Sequence, residues 1–384
     1  MTAIVPPLAD VLTDIPDFRQ SQGKRHPLRA LLLLAAVAML CGARSQSAIA
    51  DWGKHHGPER RKQLGFTHRN PPSQSTVQRL FAHIDVTLLE ARLSLWAHRA
   101  LSHLTPAGDV PLLEGIAMDG KQLRMSAHCG AADAHLLSAI SQRLGLVLGQ
   151  VAVADKSNEI PATADLLAML VLEGTVVTAD ALLTQRSVSE TILDAGGDYL
   201  LVVKENQPTL HMEIATLFAD PAAPVVVAEQ VTTHSQRRER RQVRASTELV
   251  GYTDWPGLQQ VVCMERWTTN TRTGQTRTDI AYAVTSLAPH RASAGELLRL
   301  WREHWHIENK LHWVRGRPLG RVTFGEDYST VRVRRAPQVM AALRNTAIGL
   351  HRVLGATNIA AACRHYAADP ALALAAVGLS IENE

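Results

Sequence analysis

The 384-residue chain predicts an α/β fold, a sheet-centred core standing behind an N-terminal helical head. Three observations carry that expectation. The first hundred residues read as helices separated by Pro, Gly and Ser, with no alternating strand pattern. From Val110 the pattern changes to β-rich segments interleaved with helices. Hydrophobic residues make up 46% and charged residues 20%, ordinary globular usage that excludes a disordered, collagenous or coiled-coil chain. At roughly 100–200 residues per domain, this length gives two or three cooperating units.

In the head, helices are expected at 28–40, 46–54, 76–84 and 86–104. Ser73, after the breaking run Asn70-Pro71-Pro72, is a natural N-cap for the third. The apolar run from Ala30 to Cys41 has 12 residues, against the roughly 20 needed to span a bilayer, so it reads as a buried helix. It also starts too far into the chain for a signal peptide, and the expected location is the cytoplasm. The linker Thr105-Pro106-Ala107-Gly108 closes the head.

Strands then follow at 116–119, 135–141 and 147–154, a helix capped by Asn158 at 159–172, a strand at 175–180, a helix through 195 and a strand at 198–204. Three strands in a meander followed by two βαβ-type additions is the ribonuclease H-like order. Four β segments between 225 and 286 read as a β-rich insertion at about 208–292, ahead of one long helix at 294–314. The expected division is a helical domain at 1–105, a ribonuclease H-like core at 106–350 and a helical tail at 351–384.

Forty Lys and Arg against 36 Asp and Glu give a net charge of +4, too slight alone to prove a polyanionic partner. The bases are 33 arginines and seven lysines, clustered at Arg60-Arg61-Lys62, at Arg237 to Arg241 and between Arg315 and Arg335; each cluster is either a phosphate contact or a solvated face. Cys41, Cys129, Cys263 and Cys363 lack any paired spacing, which argues against disulfides or a zinc knuckle.

Asp119 and Asp180 each close a central strand, and strand order brings such ends together although 61 positions separate them. Glu308 lies mid-helix, where His304, Glu308, His312 and Arg315 share one face at helical spacing. Carboxylate-rich sites select hard ions, here Mg²⁺ or Mn²⁺, and two such ions about 3.5–4 Å apart suit phosphodiester displacement. Lys121, Lys156 and Lys204, each after a strand, are candidate phosphate contacts, as are Arg237 and Arg240; surface solvation is the alternative for each.

Several motifs resemble bacterial insertion-sequence DDE transposases, in the ISAs-type branch that includes the H-repeat-associated proteins. They are Asp119-Gly120-Lys121-Gln122-Leu123-Arg124, Lys156-Ser157-Asn158-Glu159-Ile160, Thr178-Ala179-Asp180-Ala181 with Thr184-Gln185, and Lys204-Glu205-Asn206-Gln207. His304-Trp305-His306-Ile307-Glu308-Asn309-Lys310-Leu311-His312-Trp313 and Phe324-Gly325-Glu326-Asp327 fit the same branch. The resemblance implies cleavage and strand transfer at the ends of an insertion sequence, with Asp119, Asp180 and Glu308 as catalytic and metal-binding acids. It further implies a double-stranded DNA partner as element end and target, a homodimer on DNA, and neither membrane nor organic cofactor. DNA contacts are expected from Lys121, Lys156, Lys204, His304, Arg315, Arg237 and Arg240. The link from Val314 to Arg321, containing Pro318, is longer than the branch usually has, which leaves open a relic that binds DNA without cutting it.

Overall fold

A computed structural model describes residues 6–104, 113–122, 135–153, 159–316, 323–329 and 331–379. The head contains α1 (Leu8–Val11), α2 (Leu28–Leu40), α3 (Gln46–His55), α4 (Gly57–Gln63), α5 (Gln74–His83) and α6 (Val86–His103). Strands β1 (Glu114–Gln122), β2 (His135–Ser141) and β3 (Val147–Val153) follow, then α7 (Glu159–Ala168), β4 (Thr175–Ala179), α8 (Arg186–Asp194) and β5 (Asp198–Val203). The chain continues through α9 (Pro208–Ala219), β6 (Val226–His234), β7 (Arg237–Ser246), β8 (Gln260–Asn270), β9 (Thr276–Thr285) and α10 (Ala294–His304). It ends with α11 (Trp313–Gly316), α12 (Ala336–Val353), α13 (Ile359–Ala368) and α14 (Pro370–Ala376). This is a mixed α/β protein with a large sheet and many helices.

The division by packing differs from the division along the sequence. One compact unit gathers the head with residues 120–158 and 306–384; the other comprises 111–119 and 159–305.

In the first unit, local chemistry starts the helices: the side chains of Ser45, Ser73 and Asp85 accept hydrogen bonds from Ala48, Thr76 and Leu88 backbone N–H groups. The long apolar helix α2 is buried on all sides, Leu32, Leu33 and Leu34 each being 0% exposed, and it packs against α3, α12 and α13. Each such leucine contributes about 1.5–3 kcal/mol of burial, which accounts for a helix without a polar face. No helix among the described residues is long and apolar enough to cross a membrane.

In the second unit, the strand order is β1-β4-β5-β9-β8-β7-β6. The pairs β1–β4 and β4–β5 are parallel, whereas every pair from β5–β9 onward is antiparallel. Residues 208–292, expected to be β-rich, therefore open with a helix, marked by Pro208 in its first turn, and their strands prolong this sheet from β5 outward. Helix α10 starts at a capping box, Ser293 with Glu296, and lays Leu297, Leu300 and Trp301 on Val176, Leu200, Val243 and Val262 of the sheet.

The single helix expected at 294–314 is not continuous. Helix α10 ends at His304, and residues Ile307–His312 wind as a π-helical turn before α11. The wider turn changes the register of side chains, and π turns recur at functional sites.

Candidate active site

In the second unit, β1 and β4 lie side by side with Ala117 opposite Thr178 and Met118 opposite Ala179. Asp119 follows Met118 within β1 and Asp180 follows Ala179 just past the end of β4, so the two acids stand at neighbouring positions of parallel strands, whose spacing is about 4.8 Å. The strand expected to close at Asp119 does not stop there, because β1 runs on to Gln122. Asp180 is exposed, and its Oδ1 accepts the Leu182 N–H at 3.1 Å, capping a short 3₁₀ turn over Ala181–Leu183.

Neutral side chains hold that turn. Asn206 donates to the Ala181 carbonyl at 2.6 Å, Gln207 to the Thr184 carbonyl at 3.0 Å, and the Thr184 hydroxyl to the Val202 carbonyl at 2.6 Å. The Thr184 and Asn206-Gln207 motifs are thus scaffold for the turn that carries Asp180. His304 meets Thr178, its Nδ1 lying 3.0 Å from Oγ1. Burial lowers the His304 pKa to about 4, with Asp180 and the Thr178 contact pulling the other way, so the ring is neutral at pH 7.

In the first unit, Glu308 is exposed on the π turn, and its Oε2 sits 3.1 Å from Nδ1 of the buried His312. Burial lowers the His312 pKa, as do Arg315 and Lys121, against the upward pull of Glu308. Lys121 donates to the His312 carbonyl at 3.0 Å and stands 3.8 Å from both Glu326 and Asp327. Its pKa is lowered by burial and by Arg315.

Behind the turn lies a buried ionic cluster. Arg315, 0% exposed, pairs with Glu326 at 2.8 Å, and Arg344 pairs with the same carboxylate at 3.1 Å. Burial alone raises a carboxyl pKa, but Arg315, Arg344 and Lys121 outweigh it and hold Glu326 at about 2. A Cβ at Gly316 would run into Lys121 Nζ and Asp327, so glycine lets this pair pass close to the chain.

These positions correct one expectation. Arg315 is an internal partner of Glu326 and has no surface with which to reach a phosphate. The motif acid that matters structurally is Glu326, whose role was unassigned. Lys204 is exposed just beyond β5. Lys156, Asn158 and the Arg317–Val322 part of the long link lie outside the described residues. Arg237 and Arg240 stand on β7, paired with Glu239 and Glu229, and Arg240 lies 4.7 Å over the Trp267 ring. Asp198, the first residue of β5, accepts from Ser286 at 2.9 Å and pairs with Arg291 at 2.7 Å.

Residues 111–324, more than half of the chain, match the model of the transposase DDE domain. The chain belongs to the DDE transposase family. Residues 9–97 match the model of the region associated with that domain. YhhI, an H repeat-associated protein of Escherichia coli K12, is 30% identical, with 89% of each chain covered. YncI of Escherichia coli O157:H7, named as a candidate transposase, is 30% identical over 90% of this chain and 87% of its own. A protein encoded in the dhlA 3′ region of Xanthobacter autotrophicus is 36% identical over 65% of this chain and 85% of its own. These relatives match the H-repeat-associated branch of the transposases. A piggyBac transposase synaptic complex with hairpin DNA aligns at a TM-score of 0.40 and 10% identity, a likeness that carries no argument for this transposase.

Proposed function

We propose that this transposase cleaves phosphodiester bonds at the ends of an insertion sequence and joins the freed ends to target DNA, using a ribonuclease H-like core. The observation that carries the reading is the pair Asp119 and Asp180, emerging in register from β1 and β4. Glu308 completes the set, only four residues beyond His304, which itself rests on Thr178 two residues before Asp180. The donor set fits hard divalent ions: three carboxylates, two of them exposed, with His304 kept uncharged.

Asp119, Asp180 and Glu308 would hold Mg²⁺ or Mn²⁺, two ions, which supply activation of the attacking oxygen and stabilisation of the leaving one. The 3₁₀ turn fixes the direction of the Asp180 carboxylate. His312 fixes that of Glu308. Because hydrolysis and strand transfer both use an oxygen nucleophile on phosphorus, one set of acids serves both steps and no covalent protein–DNA intermediate is needed. Two ends must be held together, so the working form on double-stranded DNA is a homodimer.

The test is nicking of supercoiled plasmid with Mn²⁺, comparing the wild type with Asp119→Asn, Asp180→Asn and Glu308→Gln. Each variant should nick at least about a thousandfold more slowly, the loss of several kcal/mol of charge stabilisation, while its melting temperature stays near that of the wild type. Nicking retained by Asp180→Asn overturns the assignment. The long link containing Pro318 favours a second reading, a relic that binds DNA without cutting. Folded wild-type protein that binds DNA and never nicks would establish that one.

A further inference from the structure

A large cavity of about 1390 Å³ lies wholly within the unit formed by the head, 120–158 and 306–384. Its lining includes Arg44, Arg143, Lys310, Arg352 and Arg364 and, among the described residues, no aspartate or glutamate. None of these five belongs to the bases that sequence alone singles out. We propose that this cleft binds an unpaired strand of nucleic acid through its phosphates and at least one base. That the strand is DNA rests on the transposase reading; that the cleft takes such a strand does not.

Four features support the assignment. The volume exceeds the roughly 300–1,000 Å³ of small-molecule pockets, so the ligand it suits is extended. Cations without acids among the walls favour a polyanion over an acidic small molecule. Arg352 is the sharpest case, for among the described residues it donates to the backbone carbonyls of Gly145, at 2.6 Å, and Lys310. Burial lowers its pKa to about 10, and an arriving phosphate would relieve that penalty. The first turn of the ten-residue α13 also lines the cleft, adding the positive end of its dipole.

Trp313 selects the kind of polyanion. It is 52% exposed on the cleft wall, unlike Trp96, which is 1% exposed in the core. An exposed indole beside a basic groove stacks on bases whose faces are open, as in a single strand, and duplex bases have no such face to offer. Asn309 and Lys310, next in the chain to Glu308, line the same cleft. A strand held there therefore runs along the turn that presents Glu308.

The probe is a fluorescein-labelled oligothymidylate of about 12 nucleotides, titrated with full-length protein and read by anisotropy between about 50 and 200 mM salt. The variants are Arg364→Gln, exposed on α13, the double variant Arg143→Gln/Arg364→Gln, and Trp313→Ala. Losing two phosphate contacts should make the salt slope shallower by about 1.4 and weaken binding about tenfold near 100 mM salt. Trp313→Ala should weaken it about five- to a hundredfold with the slope unchanged. Wild-type affinity and slope in all three variants would overturn the proposal, as would anionic lipid vesicles binding where the oligothymidylate does not. Wild-type nicking with indifferent cleft variants counts against the cleft alone. Cleft-dependent strand binding without any nicking counts against the proposed chemistry alone.

Discussion

Asp180 and Glu308 are presented by opposite means. The Asp180 turn is pinned by uncharged groups, the exposed Asn206, the half-buried Gln207 and the buried Thr184. The Glu308 turn is backed by a buried set of charges, Lys121, Arg315, Arg344 and Glu326. Neutral hydrogen bonds are individually modest, about 0.5–1.5 kcal/mol net, and water can replace them. Buried ions are worth little as a complete set and cost several kcal/mol when one is missing. The contrast teaches that the two acids should fail differently, one by degrees and the other all at once.

The sharpest way to break the comparison is Glu326→Gln, which keeps the shape and removes the carboxylate that pairs with both Arg315 and Arg344. Two arginines would then face each other uncompensated, and a loss of about 3–5 kcal/mol is expected. The pH dependence has a definite sign. Because the folded pKa of Glu326, about 2, lies below the usual 4.5, its stabilisation is fully present above about pH 4.5 and fades as pH falls toward 2. Urea unfolding of wild type and variant should therefore differ most near neutral pH and converge in acid. A gap under about 1 kcal/mol at pH 7 would show that the cluster is not the brace described.

Asn206→Ala probes the other side. It removes one donor to the Ala181 carbonyl, and the expected stability loss is about 1 kcal/mol. Metal-dependent nicking should nevertheless fall by about tenfold, because the turn that aims Asp180 loosens. Nicking at the wild-type rate alongside a lowered melting temperature would reduce Asn206 to an ordinary structural contact.

Much of this layout is legible in the chain. The spans of α2 and β2, the Ser73 cap and the place of Asp180 at the end of β4 follow from periodicity and capping chemistry, which are local. What is not legible is settled by tertiary packing. The π turn after His304 has no sequence signature, since Ile307 to His312 suit an ordinary helix. Arg315 falls on the polar face of that expected helix, and only the arrival of Glu326 from a later segment turns it inward. Helix α9 is hidden in a stretch whose neighbours are all strands, though Pro208 marks its start. The basic cleft is invisible for the same reason, because Arg44, Arg143 and Arg364 lie in three separate stretches that only the fold assembles.

Glu90 sharpens the comparison within one unit, for it is a second buried carboxylate whose partners are neutral. Gln150 donates to its Oε1 at 2.8 Å and Gln338 to its Oε2 at 2.9 Å, and burial raises its pKa to about 7 against the easing effect of those two bonds. Glu326, ringed by cations, sits at about 2. Burial is common to both, so the nature of the partners decides the direction. For Glu90 the sign reverses: the wild type gains nothing below about pH 4.5, loses stability as the unfolded chain ionises between about 4.5 and 7, and is level above. Glu90→Gln removes that decline, at the cost of one amide now facing the donor of Gln338. The two terms oppose each other, so the net change at pH 7 should stay within about 1 kcal/mol. The readout is the slope: the variant's stability relative to wild type should rise from pH 5 to pH 8 in urea melts. A difference that stays flat across that range would mean that Glu90 is already ionised in the fold.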